Sequence, residues 1–226
     1  QGVDVFCAIG CNASSVRDYV LAVIINLKIL SFDTVNFRQK KAGVIGFGHV
    51  GRKVADLLYS LGFDIIVYDP FLKESDFLDK FEHRFIPSNV SGSEKIGLGD
   101  IEYIKASNLD ELLDCDLISI HCSLTKISEY KDKASENLIN KNFIDKLKPG
   151  SFLINASRGE VVNEDELLEF GGHINYCLDV WGNEPEISNK LVLSSVMATP
   201  HIAGHSKFAK LNGLNFSFAN STTDAA

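Results

Sequence analysis

Hydrophobic residues recur along this chain in two successive patterns, the first of them helical. Over residues 14–30 they return every three or four positions, which predicts a helix that Ser14 or Ser15 can cap. The residues of this apolar stripe are Val16, Val20, Val23, Ile24 and Leu27. The stripe is wide, so we expect the helix to be buried against another element.

From Ala42 onward, short apolar runs alternate with amphipathic segments. The runs predict seven strands: Ala42–Ile45, Asp64–Tyr68, Ile101–Ile104, Leu117–Ile120, Ser151–Ile154, Ile174–Val180 and Val196–Thr199. The segments between them predict four helices: Val50–Leu61, Leu109–Leu113, Ile139–Leu147 and Glu164–Phe170. Strand and helix alternating in this way indicate the α/β class, with a doubly wound parallel sheet that has helices on both faces.

Two stretches depart from this alternation. Residues 73–100 are polar, and we interpret them as a long surface insertion. Gly97-Leu98-Gly99 within it lacks a third glycine and a preceding strand, so it does not predict a nucleotide-binding turn. Residues 220–226 form a polar tail without apolar periodicity.

Composition and charge exclude several classes of function. The 226 residues carry 22 basic and 30 acidic side chains, a net charge of -8 that argues against a nucleic-acid-binding surface. The most apolar stretch, residues 19–30, is too short to span a membrane and is interrupted by Asn26 and Lys28. The five cysteines include no Cys-x-x-Cys pair, which predicts reduced thiols and no metal site. We therefore expect a soluble cytoplasmic protein.

A glycine-rich turn lies between the first predicted strand and the helix after it. In Gly46-Phe47-Gly48-His49-Val50-Gly51, the first glycine permits a tight turn, the second lets a pyrophosphate approach, and the third lets helix and strand pack closely. Asp69 ends the next strand, 18 residues beyond Gly51. A carboxylate there accepts hydrogen bonds from ribose hydroxyls and repels a 2′-phosphate. The combination predicts a site for NAD rather than NADP.

Three polar side chains follow later strands: Arg158, Glu184 and His201. In α/β sheets the loops at these positions hold ligands. Oxidation of a 2-hydroxy acid needs a base, and a histidine contributes about 10²–10⁴-fold in that role. A carboxylate orients the imidazole, and an arginine holds the substrate carboxylate through two hydrogen bonds.

Each of these residues also has a structural interpretation. Arg158 can pair with Glu160 or Glu164, Glu184 can be an ordinary turn residue before a proline, and His201 can be structural. Their order behind a nucleotide-binding turn favours the catalytic interpretation.

From Gly10 to Lys207 the chain resembles the D-isomer-specific 2-hydroxyacid dehydrogenases. The resemblance implies a Rossmann-type NAD-binding domain over residues 38–204, preceded by a crossover helix and the end of a substrate domain in residues 1–37. Residues 205–226 then hold the start of a return segment and the polar tail. The same resemblance implies that the catalytic residues are Arg158, Glu184 and His201, and that Glu184 rather than Glu186 assists the histidine.

The resemblance also implies the remaining site residues. Those expected to contact the cofactor are Gly46, Gly48, His49, Val50, Gly51, Asp69, Cys122, Ala156, Ser157, Arg158, Asp179 and Gly204. Arg158 and His205 are expected to bind substrate. Cys122 stands where the family has threonine, and His205 where the most similar members have tyrosine.

Several stretches are most similar to the branch of the family that oxidises a small phosphorylated hydroxy acid; they are Gly10–Ala13, Leu147–Ala156, Asp179–Trp181 and His201–Gly204. That branch implies a homodimer when the chain is full length. The chain opens with Gln1 rather than Met, and most of the family's substrate domain lies before that point. We therefore expect a fragment that binds NAD but turns over slowly. Two alternatives stay open: a related enzyme acting on 3-phosphoglycerate, glyoxylate or hydroxypyruvate, and an NAD-sensing module that resembles a corepressor.

Overall fold

A computed structural model describes residues 8–27, 40–72, 83–87 and 101–221, with the side chains of all of these except 83–87, 101–102 and 215–221. The described residues form one parallel sheet of eight strands in the order β3-β4-β2-β1-β5-β6-β7-β8. The strands are β1 Lys41–Ile45, β2 Asp64–Tyr68, β3 His83–Pro87, β4 Ile101–Lys105, β5 Leu117–Ile120, β6 Phe152–Asn155, β7 Asn175–Leu178 and β8 Met197–Ala198.

Helices cover both faces of the sheet. The α-helices of the described residues are α1 Ala13–Asn26, α2 His49–Ser60, α3 Ile127–Tyr130, α4 Lys141–Ile144, α5 Glu164–Phe170, α6 Asn189–Ser194 and α7 Lys207–Ser221. Short 3-10 helices occupy Leu109–Leu112, Lys131–Lys133, Gly159–Val161 and Gly171–His173. The doubly wound α/β prediction is confirmed.

A separate hydrophobic core lies on each face. On one face, the predicted stripe of α1 packs with Val54 and Leu58 of α2 against β1 and β2. On the other, Phe143 of α4 and Leu167 of α5 pack against β5 and β6. The central strands are buried on both faces, which explains why their sequences are continuously apolar rather than alternating.

The strand register aligns the carboxyl ends of five strands. Ile45 of β1 lies beside Tyr68 of β2 on one side and Ile120 of β5 on the other. Ile120 in turn pairs with Asn155 of β6, and Asn155 with Leu178 of β7. The loops that follow these strands therefore emerge side by side along one edge of the sheet, where doubly wound folds place their ligands.

Several predicted boundaries are wrong in detail, each for a local reason. Helix α1 begins at Ala13, because Ser15 bonds the hydroxyl of Ser206 (2.6 Å) instead of capping the helix. The helix predicted over 139–147 is reduced to Lys141–Ile144, since Ile139 forms a β-bridge with Val162. The helix predicted over 109–113 is a 3-10 helix.

Two larger corrections concern the stretches interpreted as polar. Strand β3 lies within residues 73–100 and pairs with β4 over five residues, so that stretch is not wholly an insertion. Residues 73–82 and 88–100 lie outside the described residues. Helix α7 occupies most of the segment after residue 205 and reaches Ser221, inside the predicted tail. At the start of α7, the Ser206 hydroxyl accepts a hydrogen bond from Ala209 N (2.9 Å) in the first turn of the helix.

In the described part of the chain, no helix combines the length and the hydrophobicity that crossing a bilayer requires.

Candidate functional site

The three glycines of the turn after β1 have three different surroundings. Gly46 has φ +86°, and a Cβ there would lie 2.5 Å from the backbone N of Cys122. A Cβ on Gly51 would lie 1.9 Å from the carbonyl oxygen of Gly46. A Cβ on Gly48 would meet no described atom within 4 Å. The fold therefore requires the first and third glycines, whereas the second borders open space that a ligand can fill.

Helix α2 begins directly above that open space. Gly48 is its N-cap, and among the described residues no side chain caps the helix there. The N–H groups of the first turn thus lack a side-chain acceptor at the end that carries the positive half of the helix dipole. Such an end binds phosphate groups through backbone N–H donors.

Asp69 joins the end of β2 to the glycine turn. Its Oδ2 accepts a hydrogen bond from Phe47 N (2.8 Å), and its Oδ1 accepts one from Phe71 N (2.9 Å). The carboxylate borders a cavity of about 190 Å³ whose other walls include Gly46, Gly48 and Phe71. Each oxygen has a second lone pair left for a ligand hydroxyl.

A second cavity, of about 530 Å³, continues from the first along the same edge of the sheet. Both cavities are bordered by Gly48, His121, Cys122 and Ser123. The second also contains most of the other residues expected to contact a cofactor: His49, Val50, Ala156, Ser157 and Arg158. Two cavities that meet at a phosphate-binding turn fit a ligand with two nucleoside halves joined by a diphosphate.

Asn155 shapes the loop that carries Arg158. Its Oδ1 accepts hydrogen bonds from the N (3.1 Å) and Oγ (3.0 Å) of Ser157, while its Nδ2 donates to Arg158 O (3.0 Å). The Arg158 guanidinium donates to the carbonyl of Ser157 (2.7 Å). In the described part of the chain it forms no ion pair with Glu160 or Glu164. Glu164 instead accepts a hydrogen bond from Gly182 N (2.7 Å).

The loop of Arg158 packs directly on the loop that carries Glu184. A Cβ on Gly159 would lie 2.0 Å from the carbonyl carbon of Trp181, so the two backbones are in close contact. The charge of Arg158 makes a small contribution to lowering the pKa of Glu184, after the hydrogen bonds from His201 and Trp181.

Glu184 and His201 form the central pair of the site. Oε2 of Glu184 and Nδ1 of His201 lie 2.8 Å apart, and Oε1 accepts a hydrogen bond from Trp181 N (3.0 Å). Partial burial by itself would raise the pKa of Glu184, but the hydrogen bonds from His201 and Trp181 outweigh it, and the pKa lies below its ordinary value. An ionised carboxylate only accepts hydrogen bonds, so Nδ1 carries a hydrogen, and in the neutral imidazole the lone pair is then on Nε2. This is the tautomer that a general base needs.

Asp179 folds the loop on which His201 lies. The side chain is buried; its Oδ1 accepts from Thr199 Oγ1 (2.7 Å) and Ile202 N (2.9 Å), and its Oδ2 accepts from Ala203 N (2.8 Å). His201 itself has φ +53°, a left-handed conformation that a residue with a Cβ adopts only when its surroundings hold it there. All three of these contacts lie inside the loop, so contact with the cofactor stays a prediction for Asp179.

Of the other predicted residues, Gly204 and His205 follow His201 in the chain, and Cys122 follows β5. Gly204 faces Asn12 so closely that a Cβ would lie 2.8 Å from the amide nitrogen of Asn12. His205 is exposed, and its Nδ1 lies 3.2 Å from the carbonyl oxygen of His201. Burial raises the pKa of Cys122 to about 12, so its thiol stays protonated and is not a nucleophile.

Sequence reasoning missed three residues at this edge. Gly10 and Asn12 border the second cavity just before α1, and His121 borders both cavities after β5. Burial lowers the pKa of His121 to about 3, so its imidazole is neutral. Its Nε2 lies 2.8 Å from Ser119 Oγ, and its Nδ1 has no partner in the described residues. Its place directly after a buried strand is the feature that could have identified it.

No group of three or more potential metal ligands occurs among the described residues.

Comparisons with known proteins agree with this geometry. The sequence profile of the D-isomer-specific 2-hydroxyacid dehydrogenase NAD-binding domain matches residues 27–89 and 76–203. An erythronate-4-phosphate dehydrogenase of Legionella pneumophila (strain Lens) is 38% identical over 210 residues, which are 93% of this chain and 51% of that protein. One of Marinomonas sp. (strain MWYL1) is 35% identical over 208 residues, 90% of this chain and 47% of that protein. The chain thus spans about half the length of the curated relatives it matches.

Solved structures share the fold at lower identity. The D-lactate dehydrogenase of Aquifex aeolicus, complexed with NAD and lactic acid, has a TM-score of 0.64 at 22% identity and covers 94% of this chain and 67% of that one. The NAD⁺-bound 3-phosphoglycerate dehydrogenase of Entamoeba histolytica has a TM-score of 0.66 at 22% identity, covering 95% and 62%.

Proposed function

This chain belongs to the D-isomer-specific 2-hydroxyacid dehydrogenase family through its NAD-binding domain, and from that premise we propose that the protein oxidises a small phosphorylated D-2-hydroxy acid with NAD. The contact between Glu184 and His201, at the edge of the sheet that carries the glycine turn, is the observation on which the proposal rests. An NAD sensor has less use for such a pair, because sensing requires no proton transfer. The catalytic interpretation is therefore favoured over a corepressor-like module.

The residues fit NAD, and their tasks can be assigned. The backbone of the glycine turn and the N-terminus of α2 would hold the diphosphate, and Asp69 would accept hydrogen bonds from the adenosine ribose. When bound, NAD accepts a hydride from C2 of the substrate. Ser157 and Arg158 line the second cavity, where they would border the nicotinamide half of the cofactor.

The proton follows a separate path. Nε2 of His201 accepts the proton of the substrate's C2 hydroxyl, while Glu184 stabilises the imidazolium that forms. The guanidinium of Arg158 pairs with the substrate carboxylate through two hydrogen bonds, which fixes C2 relative to His201. The products are a 2-oxo acid, NADH and a proton that passes to solvent.

The substrate we propose is 4-phospho-D-erythronate, which becomes 2-oxo-3-hydroxy-4-phosphobutanoate, in a cytoplasmic homodimer that contributes to pyridoxal 5′-phosphate biosynthesis. Support comes from the relatives of 35–38% identity, each named for that substrate. His205 extends the site beyond His201 and can donate to the phosphate group in its protonated form. The likeness to a solved 3-phosphoglycerate dehydrogenase and a solved glyoxylate reductase, at 22% and 21% identity, is one of fold alone.

The experiment is a turnover assay of the full-length protein with NAD and a panel of D-2-hydroxy acids, for wild type and His201→Asn. We expect kcat/KM to be highest for 4-phospho-D-erythronate. His201→Asn should lower kcat by at least about 10²-fold with little change in the Kd of NAD. Preference for another acid would refute the substrate, and undiminished turnover in the variant would refute the mechanism.

A further inference from the structure

We propose that Tyr19 of helix α1 is a positioning residue for His201, acting through Thr199 and Asp179. The Tyr19 hydroxyl lies 2.7 Å from Thr199 Oγ1, although the two residues are 180 positions apart. Thr199 and His201 belong to the same short loop after β8. This inference rests on the proposed function, because it assumes that His201 is the base.

The direction of each hydrogen bond follows from the number of available hydrogens. Thr199 Oγ1 donates its single hydrogen to the carboxylate of Asp179 (2.7 Å), which can only accept. The hydrogen between Tyr19 and Thr199 must therefore come from Tyr19. The result is a directed chain from α1 through Thr199 to Asp179.

Asp179 passes this constraint to the backbone around His201. Its carboxylate receives the N–H groups of Ile202 and Ala203, and its carbonyl accepts a hydrogen bond from His201 N (2.7 Å). These bonds hold His201 at its left-handed φ and so fix the backbone position from which the imidazole extends. A loop without the Tyr19 hydrogen bond has a freer Thr199, and the imidazole then samples more positions relative to the substrate.

Thr199 is held from its other side by the loop of Glu184. The indole Nε1 of Trp181 donates to Thr199 O (3.1 Å), and the backbone N of Trp181 donates to Glu184. Thr199 thus connects both halves of the His201–Glu184 pair to helix α1. Because Thr199 contacts the loops of both His201 and Glu184, a shift of Thr199 changes the distance between these two side chains.

The Tyr19 hydroxyl can fill this role across the whole range of catalytic pH. Partial burial raises its pKa to about 12, with a further contribution from the charge of Asp179, although the bond to Thr199 opposes this change. Tyr19 therefore remains a donor up to strongly alkaline pH.

The test compares two variants that lose the same group. Tyr19→Phe removes only the hydroxyl, and Tyr176→Phe is the matched control, since the Tyr176 hydroxyl donates to Ser194 at 2.6 Å, outside the His201 loop. In the full-length enzyme saturated with NAD, we expect Tyr19→Phe to lower kcat about tenfold or more, because small misplacements of reacting groups are costly. The Kd of NAD should change less than about twofold. Tyr176→Phe should lower the Tm about as much as Tyr19→Phe does, but it should keep the wild-type kcat.

A second measurement does not depend on turnover. In ¹⁵N-histidine-labelled protein, Tyr19→Phe should shift and broaden the imidazole resonances of His201, and Tyr176→Phe should leave them unchanged. Tyr19→Phe should add little to the loss of kcat that Thr199→Val causes, because both act on one chain of bonds. Additive losses, or unchanged His201 resonances in Tyr19→Phe, would overturn the inference. Shifted resonances in a protein that oxidises none of the acids would instead sustain Tyr19 as a positioning residue and refute the proposed function.

Discussion

Gly48 and Gly51 belong to one turn but face opposite surroundings, so the same substitution has opposite consequences at the two positions. Gly48 has φ -78° and ψ -158°, which alanine adopts without strain, and its new Cβ meets open space. Alanine is a weaker N-cap than glycine, but it also restricts the unfolded chain. These two effects oppose each other, so the free energy of unfolding should change by less than about 1 kcal/mol.

The effect of Gly48→Ala on cofactor binding is expected to be much larger. The added methyl group occupies the approach to the N–H groups of α2, so a diphosphate loses one or more charge-assisted hydrogen bonds. Each contributes about 1.5–3 kcal/mol, and one lost bond corresponds to a Kd for NAD that is about 10- to 100-fold higher.

Gly51→Ala is the control, with the opposite balance. Its Cβ would lie 1.9 Å from Gly46 O, so α2 must move away from β1 by about 1 Å in a tightly packed region. Overpacking of this kind costs at least about 1–3 kcal/mol. A loss of 1 kcal/mol lowers the Tm by about 2–4 °C in a domain of this size.

The assay measures Tm by scanning calorimetry and the Kd of NAD by isothermal titration for both variants and the wild type. Gly48→Ala should bind NAD weakly but keep a nearly wild-type Tm. Gly51→Ala should instead have a clearly lower Tm. An unchanged Kd in Gly48→Ala would show that the diphosphate does not cross this turn, and our assignment of the groove would fail.

Two further predictions concern the carboxylates. Asp69→Asn should reduce the preference for NAD over NADP by a factor of up to about 10³, because two like unit charges 4 Å apart near a protein surface repel each other by about 4 kcal/mol. Competitive binding of the two cofactors measures this preference, and an unchanged ratio would contradict the role of Asp69. Glu184→Gln should lower kcat and move the acid limb of the kcat/KM profile to lower pH, since a neutral amide stabilises the imidazolium less. The pKa of Glu184 is lowered in the folded state, so the stability it contributes is present above its ordinary pKa and lost as the pH falls through the lowered value. Urea titrations at several pH values should therefore show the two proteins converging in acid, and parallel curves would rule this out.

The sequence by itself determined the class of fold and the place of the site. Apolar runs alternating with amphipathic segments require a parallel sheet with two covered faces, because neither pattern can be buried otherwise. The spacing of Gly46, Gly48 and Gly51 predicted a phosphate-binding turn; in the structure Gly46 and Gly51 meet close backbone contacts, whereas Gly48 borders open space. The sequence did not show β3 or α7, because their segments lack a clear apolar period.

The tertiary structure alone decided which side chains meet. His201 and Glu184 are 17 positions apart and Tyr19 and Thr199 are 180 apart, so strand order and register, not local propensity, bring each pair within hydrogen-bonding distance. Contact of Asp179 with the cofactor stays a prediction, whereas its role in organising the loop of His201 is visible only in the structure, where burial obliges both carboxylate oxygens to find donors nearby. A residue type and its position in the chain indicate which chemistry is available, and packing decides which partner it serves.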